Sequence, residues 1–216
     1  MVPIFVISAA CSAGFVLAWY VLFARYNQKR AVQIVDRIRL SWHGRILSRR
    51  WTGTSRLHVS MRLPSELFSG AHVTVRLLPR ALPLHWLLRR WEAQAETVTI
   101  EADLEHAPSF SLKVHNHSWS GRLTRKAPRT EQPWTIHRSG PMVLTTCEDW
   151  ESEQNPVLNA LLVARRSEFT DIVLRPGSPH LTATAPVEAL VDDSMARQMF
   201  ETLRELAQET RTSKKQ

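Results

Sequence analysis

Residues 1–24 read MVPIFVISAACSAGFVLAWYVLFA and carry no charged side chain, whereas residues 25–39 read RYNQKRAVQIVDRIR and carry six. At about 1.5 Å of rise per residue, a helix from Val2 to Phe23 is roughly 33 Å long, which matches a hydrocarbon core of about 30 Å. The sequence therefore predicts a transmembrane helix over residues 1–24. A cleavable signal peptide would need a basic start and a shorter apolar core, so we expect an uncleaved signal anchor.

Basic residues follow the apolar run closely, and they predict its orientation. Lys and Arg within about 15–20 residues of a span favour the cytoplasmic side. The membrane-proximal basic residues are Arg25, Lys29, Arg30, Arg37, Arg39 and Arg45. We therefore expect a single-pass membrane protein with its N-terminus outside and its C-terminal domain in the cytoplasm. A single cysteine, Cys147, follows the span, which fits a reducing compartment.

The net charge of +8 is distributed unevenly along the chain. Residues 25–90 hold 14 Lys and Arg against two acidic residues, a balance of +12, while residues 91–216 hold 14 basic and 18 acidic residues, a balance of −4. Because the excess begins directly after the span, it favours anionic lipid of the bilayer as the partner, and nucleic acid is the less favoured alternative. We assign residues 25–50 to a basic juxtamembrane neck.

The neck has the apolar spacing of a helix that continues out of the bilayer. Ala31, Ile34, Val35 and Ile38 recur at i, i+3, i+4 and i+7. Such a stripe either docks on the domain that follows or pairs with the same helix of another chain, forming a homo-oligomer.

Beyond Gly44 the apolar period changes to two, which predicts strands. The alternating stretches lie at 57–63, 73–77, 97–104 and 110–114, with a less regular hairpin around Trp134, Ile136 and Val143. A short helix is predicted over residues 155–166, a strand over 169–174 and its partner at 181–185. A last helix from Asp193 or Ser194 carries one apolar stripe, in which Phe200 and Leu203 should be buried.

These elements predict an α+β fold: one N-terminal transmembrane helix, then a mainly antiparallel β-sheet domain with C-terminal helices packed on it. About 170 residues suffice for one core, so we expect a single cytoplasmic domain over residues 51–210. Residues 211–216 contain no apolar side chain and are expected to be disordered.

A segment from Pro83 to Ala95 places Leu84, Leu87, Leu88 and Trp91 on one helical face. Two interpretations stay open: a surface helix that packs this stripe on the sheet, and a helix that lies in the membrane interface. The possible interfacial residues are Leu84, Trp86, Leu87, Leu88, Arg89, Arg90 and Trp91.

The residues offer little catalytic chemistry. The glycines of the soluble part are isolated, so phosphate-binding loops and dinucleotide fingerprints are missing from the sequence, and we expect no cofactor and no catalytic residue. His115 and His117 share one side of a predicted strand and are weak candidates for metal ligands. Without a third ligand at a recognisable spacing, a solvated strand face is the preferred interpretation, and no metal is expected.

Together these features favour a membrane-anchored protein whose cytoplasmic domain binds or scaffolds an unknown protein partner without being an enzyme. The alternative is a membrane-tethered hydrolase or metal-dependent enzyme that uses the His115/His117 cluster. A convergent polar pocket would favour the enzyme, and an exposed apolar patch would favour the scaffold.

Overall fold

The computed structural model describes residues 2–92, 94–108, 111–116, 135–139, 142–147 and 169–213. It has the predicted α+β architecture, in which a long N-terminal helix leads into an antiparallel sheet and a C-terminal helix packs on that sheet. The helices are α1 (Val2–Trp42), α2 (Pro83–Trp91) and α3 (Asp193–Ser213), with a 3₁₀ turn at Val187–Leu190. The strands are β1 (Arg45–Thr52), β2 (Arg56–Arg62), β3 (Phe68–Arg76), β4 (Thr97–Leu104), β5 (Ser111–Asn116), β6 (Thr135–Ser139), β7 (Met142–Cys147), β8 (Asp171–Leu174) and β9 (Leu181–Pro186).

The nine strands form one sheet in the order β1-β2-β3-β4-β9-β8-β5-β7-β6, and every neighbouring pair is antiparallel. Buried and partly exposed residues alternate along β2, β4 and β9. In an antiparallel sheet this alternation buries one face and leaves the other in contact with solvent. The central strands therefore carry the core on a single face.

The second half of α1 belongs to this core. Ala31, Ile34, Val35 and Ile38 are all buried in the chain, as is Trp42 at the end of the helix. The stripe predicted in the neck is thus covered by the protein's own domain, which is the first of the two alternatives. At these four positions there is no exposed stripe for pairing with a second chain.

The C-terminal helix covers the same face beside α1. Phe200 and Leu203 are buried, which confirms the prediction from the stripe. The Phe200 ring stacks on Trp42 with 5.2 Å between ring centroids, and the Trp42 indole donates a hydrogen bond to the Ala196 carbonyl at 3.1 Å. The end of α1 is therefore fixed to α3 by ring packing and by a buried polar contact.

Two boundaries differ from those expected. The sheet begins at Arg45, inside the stretch expected to be a neck, because β1 is an edge strand with mostly exposed polar side chains and lacks the alternation that marks a half-buried strand. Helix α3 extends to Ser213, since neither Gly nor Pro interrupts it. The helix predicted over 155–166, Trp134, Phe110 and residues 214–216 lie outside the described residues.

Candidate membrane interface

Helix α1 has two halves with opposite surroundings. Its N-terminal half includes an 18-residue window of mean hydropathy 2.0, none of which is buried in the protein. Phe15, Leu17 and Leu22 each expose about two thirds of their surface. By length and composition, α1 is able to cross a membrane, and it is the single such helix among the residues that the structure describes. The chain therefore has a candidate membrane-spanning helix at its N-terminus.

Aromatic side chains mark the end of the apolar half. Trp19 lies between Phe15 and Phe23, with ring centroids 6.1 and 4.4 Å away, and the Phe23 ring lies 6.5 Å from that of Tyr26. Trp and Tyr concentrate at membrane–water interfaces, where their rings meet lipid and their polar atoms meet water. This aromatic row is typical of the boundary of a transmembrane helix.

A loop of the sheet domain is held against α1 at this boundary. The Trp19 indole N–H donates to the Arg80 carbonyl at 3.0 Å, and the Asn27 amide donates to the Leu78 carbonyl at 3.0 Å. Arg80 in turn donates to the Asn27 side-chain oxygen at 3.3 Å, and its guanidinium lies 5.3 Å from the Tyr26 ring centroid. Asn27 is fully buried, so these bonds satisfy an amide that would otherwise be costly to bury.

A buried carboxylate ties the same loop to the rest of the domain. Glu96 is only 4% exposed and forms ion pairs with Arg30 at 3.0 Å and with Arg80 at 2.9 Å. It also accepts the Leu78 backbone N–H at 3.1 Å. We call Asn27, Arg30, Leu78, Arg80 and Glu96 the clasp. The clasp joins α1, the loop that leads to α2, and the start of β4.

Helix α2 follows the clasp and turns its apolar stripe outward. None of its residues is buried, and the exposed fractions are 79% for Leu84, 57% for Leu87, 53% for Leu88 and 88% for Trp91. Trp86 lies on the opposite side of the helix and is half-buried. The interpretation that this stripe packs on the sheet is therefore wrong. Periodicity predicted the stripe correctly but did not reveal which side the domain covers.

The predicted membrane-proximal basic residues divide into two groups. Arg30 belongs to the clasp, and Arg37 donates a hydrogen bond to the Val191 carbonyl. The others are exposed and form no ion pair with any described residue; they are Arg25, Lys29, Arg39 and Arg45.

The register of the sheet adds a pair of arginines that the sequence analysis did not single out. Arg56 of β2 lies directly opposite Arg76 of β3, at the end of the sheet from which the chain leads to the clasp. Both are exposed, and neither has an ion pair within the described parts of the chain. Like charges directly opposite each other are unfavourable in a sheet, so this pair is suited to an anionic neighbour. Arg56 and Arg76 are 20 residues apart in the sequence, so the sequence alone does not indicate that they are neighbours in the sheet.

At the opposite end of α1 the domain has an open groove of about 790 Å³. Its lining includes Trp42, Phe200, Arg197, Glu201 and Arg204. The Arg204 guanidinium lies 3.4 Å from the Glu201 carboxylate, so these two charges already pair with each other. Because Trp42 and Phe200 are buried, the groove offers mainly polar and charged side chains for contact with a partner.

The histidine pair receives no support as a metal site. His115 lies in β5, where its backbone is in register with Asp171 of β8 and Val143 of β7, while His117 falls outside the described residues. In the described ranges, no three His, Cys, Asp or Glu side chains are grouped in a way that would hold a metal ion. The expectation of no metal stays a prediction.

Comparison with known proteins finds no family model that matches the chain and no curated protein that is significantly similar to it.

Proposed function

We propose that this is a single-pass membrane-anchored protein whose cytoplasmic domain binds or scaffolds other proteins at the bilayer surface and is not an enzyme. One observation carries the proposal: α1 is a single helix whose exposed apolar half leads without interruption into a half that is buried in the sheet domain. A flexible linker would let the domain drift away from the membrane. A helix anchored at both ends holds it at one height and in one orientation.

The rigid mounting determines how far the open groove lies from the membrane. Trp42 lies 18 residues beyond Ala24, so at about 1.5 Å per residue the open groove is presented roughly 27 Å from the end of the apolar run. The basic excess after the span supports a cytoplasmic location for the groove. We therefore propose that protein partners dock on the domain's far side while its near side rests on the membrane.

The orientation is tested by cysteine labelling in intact cells. Glu105 is exposed, so Glu105→Cys in a Cys147→Ser background places one reactive thiol on the domain. A membrane-impermeant maleimide should label it only after the cells are permeabilised. Labelling of intact cells to the same extent would reverse the topology.

The binding role is tested by site-specific photo-crosslinking of the full chain in its membrane. A photoreactive residue at Arg197 in the groove should give discrete adducts with another protein, because a scaffold must hold its partner at a defined surface. The matched control is the same residue at Leu40, which is also exposed but does not line the groove. Identical adduct patterns at both positions would contradict the proposal.

A further inference from the structure

We infer that α2 is a second membrane contact, an in-plane helix whose Leu84, Leu87, Leu88 and Trp91 insert into the bilayer that α1 spans. The inference rests on the proposed membrane anchoring and adds a lipid-binding surface to it. The surface is defined by these four side chains and is called the α2 face below.

The α2 face is too apolar to be an ordinary water-exposed surface. At 100° per residue, the four side chains fall within an arc of about 100°, and Trp86 points the other way. Each of the four exposes more than half of its surface, while the domain covers none of the helix completely. Contiguous exposed apolar side chains on a folded protein mark an interaction site.

The hydrogen bond between Trp19 and Arg80 limits how far α2 can lie from the membrane. Trp19 is five residues before Ala24, about 7.5 Å inside the end of the apolar run, and its indole is bonded to the Arg80 carbonyl. Helix α2 begins at Pro83, three residues later, and three residues reach at most about 10 Å. The helix therefore starts within about 10 Å of Arg80, close to the end of the apolar run, where we place the boundary between headgroups and acyl chains.

Charge distinguishes the bilayer from the other possible occupants of the α2 face. Arg90 lies between Leu88 and Trp91 and has no ion pair among the described residues, and Arg56 and Arg76 lie at the end of the sheet from which the chain leads to the clasp. Interfacial helices combine an apolar face with basic residues that meet lipid phosphates. A second copy of the chain would present the same basic surface across a two-fold axis and so would not supply the opposite charge that lipid phosphates supply.

The test measures the depth of single spin labels on the full chain in liposomes of phosphatidylcholine and phosphatidylglycerol. Both native cysteines are replaced by Ser, and a nitroxide is attached at Leu87→Cys, Leu40→Cys or Phe15→Cys. Leu87 and Leu40 are similarly exposed, at 57% and 64%, which makes Leu40 the matched control. Collisions with oxygen report lipid, and collisions with a water-soluble nickel chelate report water.

We expect the ratio of oxygen to nickel collisions at Leu87 to exceed that at Leu40 several-fold and to approach that at Phe15. A Leu87 label that meets nickel as freely as the Leu40 label overturns the inference, and so does one shielded from both reagents, since a protein would then cover the α2 face. The Phe15 label separates the two proposals. A water-like Phe15 label means that the anchoring itself is wrong, whereas a lipid-like Phe15 label with a water-like Leu87 label removes only the α2 contact.

Discussion

The clasp makes Glu96→Gln the most informative stability variant. The substitution keeps the volume of the side chain and leaves an oxygen that can accept the Leu78 N–H. It removes the negative charge between Arg30 and Arg80, which lie 3.0 and 2.9 Å from the carboxylate. Two guanidinium groups then face each other without a counter-charge in a partly buried setting.

The magnitude follows from the exposure of the three groups. Removing one partner of a buried ion pair costs about 3–5 kcal/mol. Arg30 and Arg80 are 28% and 18% exposed, so water screens part of the loss, and we expect about 2–3 kcal/mol. In a domain of this size each kcal/mol lowers the thermal midpoint by about 2–4 °C, which gives a shift of roughly 4–12 °C.

Thermal unfolding in detergent micelles, followed by near-ultraviolet circular dichroism, measures this shift. The matched control is Glu92→Gln, because Glu92 is 57% exposed and lies 3.6 Å from Arg89. That exposed pair should contribute less than about 0.5 kcal/mol. Equal midpoints for the two variants would refute the view that the clasp holds the loop against α1.

Three further predictions concern the rest of the chain. Phe200→Ala should cost about 3–5 kcal/mol by denaturant titration, whereas deleting Thr212–Gln216 should leave the midpoint unchanged. Equal midpoints for Phe200→Ala and the parent chain would show that α3 is peripheral. Metal analysis of the purified chain should find no stoichiometric zinc, and zinc that disappears in a His115→Ala, His117→Ala variant would revive the enzyme alternative. Asp192 directly precedes α3, and a hydrogen bond from the Ser194 backbone N–H lowers the pKa of its carboxyl group. The ionised carboxylate therefore stabilises the folded chain above the unfolded pKa, and this stabilisation is lost as the pH falls through the lower folded pKa. Asp192→Ala should therefore lower the thermal midpoint at pH 7 more than at about pH 2, and a pH-independent difference would contradict this origin.

Helices and strands that bury one side can be predicted from the sequence. The stripe of Ala31, Ile34, Val35 and Ile38 and the alternation in β2 and β4 follow from periodicity, because a buried face must be apolar at the period of its backbone. Strand β1 lies at the sheet edge and exposes most of its side chains, so hydrophobic patterning carries no signal for it.

The candidate interface depends on contacts between distant residues, and periodicity cannot predict these. Glu96 is one of 20 acidic residues, and its burial depends on Arg30 and Arg80, which lie 66 and 16 residues away in sequence. The stripe on α2 was visible in the sequence, but the side that faces the domain depends on contacts between residues that are distant in sequence. A helical pattern predicts which residues share a face and leaves open what covers it.

We propose that one unbroken helix, α1, mounts the domain on the membrane. The most direct measurement is the distance between spin labels at Phe15→Cys and Leu40→Cys in the full chain, reconstituted in liposomes with both native cysteines replaced by Ser. An unbroken α1 places the two backbone positions about 37 Å apart, so a single narrow distribution near that distance is expected. A broad or shorter distribution would show a hinge between the span and the domain, which would contradict a rigidly mounted domain.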